Sequence, residues 1–229
     1  MLALVAMLSL SCARVLPWSK EPVGNEVNLA FTLEHNLIRL STVRIDGREG
    51  HFILGTAAPR TIVDPRFALR RFYAHAIQIS DKETVRIDPA PADLGGVADA
   101  IIGVEPWRDH AISIDYRVGL VSYQKEGIKS GGMYIYRFPN EPMINVIVDG
   151  REIAAIVDTT SPDTLVLPGS DARGTANVRV ADVDFGAIDV QYANVTRARV
   201  GNRVLSRFLV TIDYGRKVVG LWRDPRVAS

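Results

Sequence analysis

Cysteine is almost absent from this sequence of 229 residues, because Cys12 is the only one. A single cysteine near the start excludes an intrachain disulfide, a cysteine-ligated zinc site and a cysteine nucleophile from the folded body. Excess charge is missing as well, since 27 Lys and Arg residues are matched by 26 Asp and Glu residues. The formal net charge of +1 argues against nucleic acid as a partner, because phosphate binding relies on a basic surface.

Metal-site spacings and cofactor motifs are also lacking. The histidines do not recur at the short intervals typical of metal ligands. The sequence has no Gly-rich phosphate loop, nucleophile elbow or kinase-type motif. We therefore expect neither a bound metal nor a cofactor. The four histidines are His35, His51, His75 and His110.

The first eleven residues, Met1 to Ser11, are almost wholly apolar, but a bilayer-spanning helix needs ~20 residues. The small residues Ser9 and Ser11 precede Cys12. This arrangement resembles the lipobox of bacterial lipoproteins, in which the cysteine is lipidated and becomes the mature N-terminus. We interpret residues 1–18 as a signal or lipoprotein leader. The resemblance implies the periplasmic side of a bacterial envelope, with membrane contact only through lipidated Cys12. An ordinary cleaved signal peptide of a secreted protein, or a plain buried segment, is the alternative.

Beyond the leader, helical periodicity is scarce and short β-branched runs alternate with turn signals. We therefore predict an all-β chain with short helices. The predicted helices lie at residues 65–73 and 204–208. One predicted hairpin joins residues 77–79 to 85–87, and another joins 178–183 to 188–195 with its turn at Phe185-Gly186.

The two halves of the body repeat one pattern. A polar segment, Gln124 to Gly132, contains three glycines and predicts a linker. The segment at residues 45–49 (IDGRE) recurs 103 residues later at 148–152 (VDGRE). At this spacing Gly55 aligns with Asp158, and Thr56 aligns with Thr159. Two similar β-lobes are therefore predicted, at residues 27–125 and 133–223.

Later blocks repeat at a spacing of 98 residues. Ile102-Gly103 aligns with Val200-Gly201, and residues 114–116 (Ile-Asp-Tyr) align with 212–214. Glycine permits close backbone approach, so Gly103 and Gly201 are predicted to run beneath the Gly55 and Asp158 loops. Asp115 and Asp213 end strands before turns, which favours a structural role for both.

The second half contains an ordered series of motifs. An apolar strand leads into Asp158-Thr159-Thr160-Ser161, followed by an apolar run at 165–167 and a hairpin. Val200-Gly201 and the block from Phe208 to Tyr214 close the series. This order resembles the retropepsin-like proteins of the aspartic peptidase family over nearly all of residues 27–223.

The resemblance implies two similar retropepsin-like or pepsin-like β-barrel lobes that meet at a pseudo-twofold axis. In that family each lobe contributes one catalytic Asp, and the following threonine braces the two loops. Asp158 matches the catalytic position, and Gly55 occupies the degenerate equivalent position. Thr56 and Thr159 match the bracing positions. The family's cleft-lining stretch corresponds to Arg60, Thr160, Ser161 and Asp163. For the equivalent residues Arg60 and Asp163, the alternative is a solvated pair.

Aspartic peptidases need two carboxylates because one must be ionised while the other carries a proton. Glycine can do neither, so Gly55 removes the dyad from a single chain. We expect a protein that binds extended peptides, with proteolysis impaired or absent in the monomer. One alternative is an active endopeptidase in which a homodimer pairs two Asp158 residues. The other is a structural module of the envelope.

Overall fold

The structure, a computed structural model, describes residues 27–67, 75–81, 83–124 and 132–223. Strands take up 54% of it and helix 4%. The predicted all-β class is therefore confirmed. Cys12, the leader at 1–18 and most of the predicted linker lie outside the described residues. No helix in the described ranges has the length and apolar character needed to cross a membrane.

The described part of the first half consists of short strands and one 3-10 turn, at Glu105–Trp107. The strands are β1 (Val27–Glu34), β2 (Leu37–Leu40), β3 (Arg44–Ile45), β4 (Phe52–Leu54), β5 (Ile62–Val63), β6 (His75–Ser80), β7 (Glu83–Ile87), β8 (Ala90–Pro91), β9 (Ala100–Ile102), β10 (Ala111–Asp115) and β11 (Leu120–Gln124).

The described part of the second half contains longer strands and one short helix, α1 (Asn202–Leu205). Its strands are β12 (Tyr134–Arg137), β13 (Met143–Val148), β14 (Arg151–Val157), β15 (Leu165–Pro168), β16 (Ala172–Val180), β17 (Val183–Ala193), β18 (Ala198–Val200), β19 (Leu209–Asp213) and β20 (Val218–Trp222).

One sheet joins the two halves. Its eleven strands, among the described residues, run in the order β12-β20-β19-β10-β11-β1-β2-β4-β9-β5-β8. The halves meet where β10 pairs antiparallel with β19, with Ser113 opposite Thr211. Both side chains are buried, and their hydroxyl oxygens lie 2.8 Å apart. The flanking residues Ile112 and Ile212 belong to one hydrophobic core that extends through both halves.

The halves differ in how their remaining strands close. In the second half, β13-β14-β18-β15-β17-β16 forms a closed barrel. In the described first half, β3, β6 and β7 form a separate three-stranded sheet, and the other strands belong to the sheet shared by both halves. A barrel is therefore present in the second half, while the finer expectation of two similar barrel lobes stays a prediction.

The hairpin and helix predictions had mixed outcomes. The β6–β7 hairpin is confirmed. The β16–β17 pairing is also confirmed, but its predicted turn is wrong, because the chain turns at Ala181 and Asp182. Gly186, at φ +64°, lies inside β17 beside a register shift at Val178, so the glycine marks a β-bulge.

The predicted helix at 204–208 begins earlier in the structure, since α1 spans Asn202–Leu205. Gly201 is its N-cap in extended conformation, and the Ser206 N–H donates to the Asn202 carbonyl at the C-terminal end. Of the other predicted helix, residues 65–67 form a turn, and residues 68–73 lie outside the described ranges.

Candidate functional site

The candidate site is built on two loops that follow equivalent strands. Gly55 comes directly after β4, which runs parallel to β9, and Asp158 comes directly after β14, which runs parallel to β18. The Gly55 N–H donates to the Ile102 carbonyl at 2.9 Å, and the Asp158 N–H donates to the Val200 carbonyl at 3.0 Å. The backbone therefore anchors both loops in the same way.

A glycine lies beneath each loop, as the sequence predicted. A Cβ atom on Gly103 would lie 2.4 Å from the carbonyl carbon of Arg60. A Cβ atom on Gly201 would lie 2.2 Å from the carbonyl oxygen of Asp163. No side chain fits at such distances, so close packing of backbone on backbone explains both glycines.

Thr56 and Thr159 connect the two loops through reciprocal hydrogen bonds. The N–H of each threonine donates to the Oγ1 of the other, at 3.1 Å in both directions. The Thr56 hydroxyl donates to the Val157 carbonyl at 2.7 Å, and the Thr159 hydroxyl donates to the Leu54 carbonyl at 2.6 Å. Both threonines are buried, so this exchange fixes the position of one loop against the other.

The Asp158 carboxylate is buried, and both of its oxygens accept hydrogen bonds. Its Oδ1 accepts hydrogen bonds from the Thr160 N–H at 2.9 Å and from the Thr160 hydroxyl at 2.6 Å. Its Oδ2 accepts from Nη1 of Arg199 at 2.7 Å, which forms an ion pair. The Asp158 side chain is 2% exposed, whereas that of Arg199 is 42% exposed. Hydrogen-bond donors of Thr160 and Arg199 therefore engage both oxygens of the Asp158 carboxylate.

The opposite loop supplies no acid at the aligned position. A Cβ atom on Gly55 would lie 2.6 Å from Cγ2 of Ile101, 3.1 Å from Cβ of Ala58 and 3.2 Å from Cγ2 of Thr160. These are apolar carbon atoms. Within the described residues, no second carboxylate is hydrogen-bonded to Asp158.

The predicted cleft residues have different surroundings. Arg60 is exposed and pairs with Asp88 at 2.5 Å, so its partner is not the aligned Asp163. Thr160 contacts Asp158 directly, as described above. Ser161 is buried, and its hydroxyl has no hydrogen-bond partner among the described residues. In the same ranges, no cluster of His, Cys, Asp and Glu could hold a metal ion.

Arg199 is the site residue that sequence reasoning missed. It precedes Val200-Gly201 in β18 and aligns with Ile101 at the later repeat spacing. A basic residue that replaces an apolar one next to a buried acid was the available signal. The signal required knowing that β18 runs beside β14, which only the pairing of Ile156 with Arg199 revealed.

Two partly buried tyrosines also support the loops. The Tyr214 hydroxyl donates to the Thr56 carbonyl at 3.0 Å. The Tyr116 hydroxyl donates to Oδ1 of Asn202 at 2.8 Å, and the Asn202 amide donates to the Thr159 carbonyl at 2.7 Å. Burial raises the pKa of both tyrosine hydroxyls. Each tyrosine follows the aspartate of a repeated Ile-Asp-Tyr block, so the repeat itself was the signal.

The aspartates of these blocks act in local turns. Asp115 accepts hydrogen bonds from the backbone and side chain of Arg117. Asp213 is buried and accepts a hydrogen bond from the Arg216 N–H at 2.8 Å. Neither contact involves the Gly55 or Asp158 loop.

Comparison with known proteins found no protein-family model and no curated protein that matches the chain.

Proposed function

We propose that this chain is an aspartic-peptidase-like protein that holds extended peptides and has little or no proteolytic activity of its own. The Arg199–Asp158 ion pair, opposite Gly55, carries this proposal. A peptidase dyad needs a second carboxylate near the first, and here a guanidinium occupies one oxygen of the only aligned acid.

The hydrogen bonds between the halves support a two-lobed arrangement about a pseudo-twofold axis. The threonine exchange joins Thr56 to Thr159, which the repeat aligns. The β10–β19 pairing places Ser113 opposite Thr211, which the later repeat spacing also aligns. Two separate contacts thus join equivalent positions, which is expected where equivalent units meet around a twofold axis.

The chemistry of the site argues against peptide hydrolysis. In the dyad mechanism one acid deprotonates a water while the other protonates the substrate carbonyl. Asp158 has hydrogen-bond donors on both oxygens, and Gly55 has no group that could carry the second proton. Loss of a positioned acid or base typically lowers the rate ~10²- to 10⁴-fold.

A cleft between the two lobes is the proposed peptide-binding surface. Extended peptides are commonly held by backbone hydrogen bonds and by pockets for alternate side chains. Such binding requires fixed loops and does not require a catalytic dyad. The reciprocal threonine bonds and the buried glycines fix both loops despite the missing acid.

The test measures binding and cleavage on the same purified chain. We expect an array of random octapeptides to show selective binding, and the same peptides to remain intact between pH 3 and pH 8. Analytical ultracentrifugation establishes the oligomeric state in parallel. Asp158→Asn serves as the comparison, because it should leave the absence of cleavage unchanged.

Other outcomes separate the alternatives. Cleavage that rises with the square of protein concentration and disappears in Asp158→Asn would favour the homodimeric endopeptidase. Absence of both binding and cleavage would favour the structural module. Robust cleavage by a demonstrated monomer, abolished by Asp158→Asn, would overturn the proposal.

Tethering at the periplasmic side of a bacterial envelope is part of the same proposal, and it rests on the Ser9 to Cys12 segment. Mass spectrometry of the mature N-terminus tests it directly. We expect a lipidated Cys12. An unmodified Cys12 in a full-length cytosolic chain would contradict both the tether and the export.

A further inference from the structure

The two members of the site's ion pair differ in their access to solvent. The Asp158 side chain is 2% exposed, and that of Arg199 is 42% exposed. A ligand that approaches this pair therefore meets the cation first. Because Coulomb interactions weaken with distance, the nearer guanidinium dominates over the buried carboxylate behind it.

The guanidinium of Arg199 is held in place by the buried Asp158. Its Nη1 donates to Oδ2 of Asp158, while Thr160 holds the other oxygen of that carboxylate through two hydrogen bonds. Asp158 therefore fixes the orientation of the Arg199 fork. Such pre-organisation lowers the conformational entropy that binding would otherwise cost.

The fork also has unused donor capacity. Arginine carries five N–H donors, and one of them accounts for the bond to Asp158. Nε of Arg199 is buried, so the donors that remain for a ligand belong to the solvent-facing end of this side chain, which is 42% exposed. A planar guanidinium with free donors matches the geometry of a carboxylate better than that of any neutral group.

The first half offers no matching cation at the aligned position. Ile101 occupies the place that corresponds to Arg199, and Gly55 occupies the place that corresponds to Asp158. A ligand lying across both loops would thus meet a charged group on one side and an apolar side chain on the other. This asymmetry would orient the ligand along one direction.

We propose that Arg199, oriented by Asp158, binds a carboxylate of the peptide ligand. The inference rests on the proposed peptide-holding function and specifies the chemistry that the site recognises. The carboxylate has two sources, the peptide C-terminus or an Asp or Glu side chain. In this arrangement Asp158 acts as a positioning residue for Arg199.

The experiment compares matched peptides on the full chain. The octapeptide array is prepared with free C-terminal carboxylates and again with C-terminal carboxamides. A third set replaces Asp and Glu by Asn and Gln. The strongest binder from each set is then titrated in solution by calorimetry. We expect loss of the recognised carboxylate to weaken binding roughly 10- to 100-fold, as for a hydrogen bond to a charged group.

Variants identify the residue that reads the carboxylate. Arg199→Gln combined with Asp158→Asn removes both charges together, so no buried charge is left unpaired. This pair should remove the preference for the carboxylate. Arg199→Lys keeps the charge but loses the fork, so it should reduce the preference and preserve folding. Arg203→Gln, an exposed change on α1, is the matched control and should change nothing.

The outcomes are distinguishable from failure of the proposed function. Equal binding of acid and amide peptides would overturn this inference and leave peptide holding intact. A carboxylate preference that survives the Arg199 variants would also overturn it, because another group would then read the charge. If none of the peptide sets binds, the proposed function itself fails.

Discussion

The two loops of the site are anchored by equivalent backbone hydrogen bonds, but their side chains differ: one loop has no acid and the other has a buried one. In the first half, Gly55 lies against Ile101, and in the second half Asp158 lies against Arg199. Each combination is self-consistent, because a buried acid needs donors and a glycine against an apolar carbon leaves nothing unpaired. The backbone hydrogen bonds from Gly55 to Ile102 and from Asp158 to Val200 are equivalent despite this difference in side chains. The backbone of the site and its side-chain chemistry are therefore separable.

The strands of the second half close into a barrel and those of the described first half do not. The lengths of the strands explain this difference. β16 and β17 have 9 and 11 residues, and they reach β13 on one side and β15 on the other. The corresponding hairpin of the first half, β6 with β7, has 6 and 5 residues and pairs with the two-residue β3. A longer hairpin therefore closes the barrel in the second half.

The buried glycines offer the largest expected effect. Gly103→Ala and Gly201→Ala should each lower the free energy of unfolding by about 3 kcal/mol, because the new Cβ meets fixed backbone atoms. Urea denaturation measures both. Gly215→Ala is the control, since its Cβ would lie 3.6 Å from the nearest atom. A small effect at one of the two glycines would show that the loops are not anchored equivalently.

Breaking the ion pair between Arg199 and Asp158 should have the second-largest effect on stability. Arg199→Ile gives the second half the type of residue found at Ile101, and it leaves the buried Asp158 without its cation. We expect a loss of about 2–3 kcal/mol in the free energy of unfolding. In a double-mutant cycle, Asp158→Asn should make the combined loss smaller than the sum of the single losses. Additive losses would indicate that the pair does not interact.

The reciprocal hydrogen bonds of Thr56 and Thr159 predict that replacing either threonine lowers stability by the same amount. Thr56→Val and Thr159→Val each remove one donated hydrogen bond and one acceptor for a buried N–H. We expect each to cost about 1.5–2 kcal/mol in the free energy of unfolding. Valine preserves the branched shape, so packing changes little. Chemical denaturation that finds a large loss at one threonine and none at the other would break the equivalence.

The tyrosines predict the smallest effect at neutral pH. Tyr116→Phe and Tyr214→Phe should each cost about 1 kcal/mol in the free energy of unfolding, since each loses one hydrogen bond. The effect should be slightly larger at Tyr116, because its hydroxyl also positions Asn202. Differential scanning calorimetry of the two variants measures the order.

Tyr116 and Tyr214 should also make the stability of the protein depend on pH in the alkaline range. Burial raises the pKa of both hydroxyls above the ordinary value of 10.0. Their contribution to stability is therefore complete below pH 10 and decreases as the pH rises toward the folded-state pKa, because unfolded tyrosine ionises first. The slope reaches up to ~1.4 kcal/mol per pH unit for each group. The double Phe variant should lose stability less steeply above pH 10, and identical slopes would contradict this account.

The sequence alone predicted the all-β class, the β6–β7 hairpin and the positions of both buried glycines. These depend on local alternation, on turn residues and on a repeat, all of which are visible along the chain. Phe185-Gly186 was misread as a turn, because a glycine at positive φ serves a bulge as readily as a turn. Local pattern does not distinguish the two cases.

The sequence by itself determined that the aligned acid is missing at Gly55, because a residue type is a local fact. Only the tertiary structure decided what contacts the remaining acid. Arg199 lies 41 residues beyond Asp158 along the chain and reaches it because β18 runs parallel to β14. The hydroxyls of Tyr116 and Tyr214 act over still longer separations, of 86 and 158 residues. Strand pairing and side-chain direction, which are properties of the assembled fold, create these contacts.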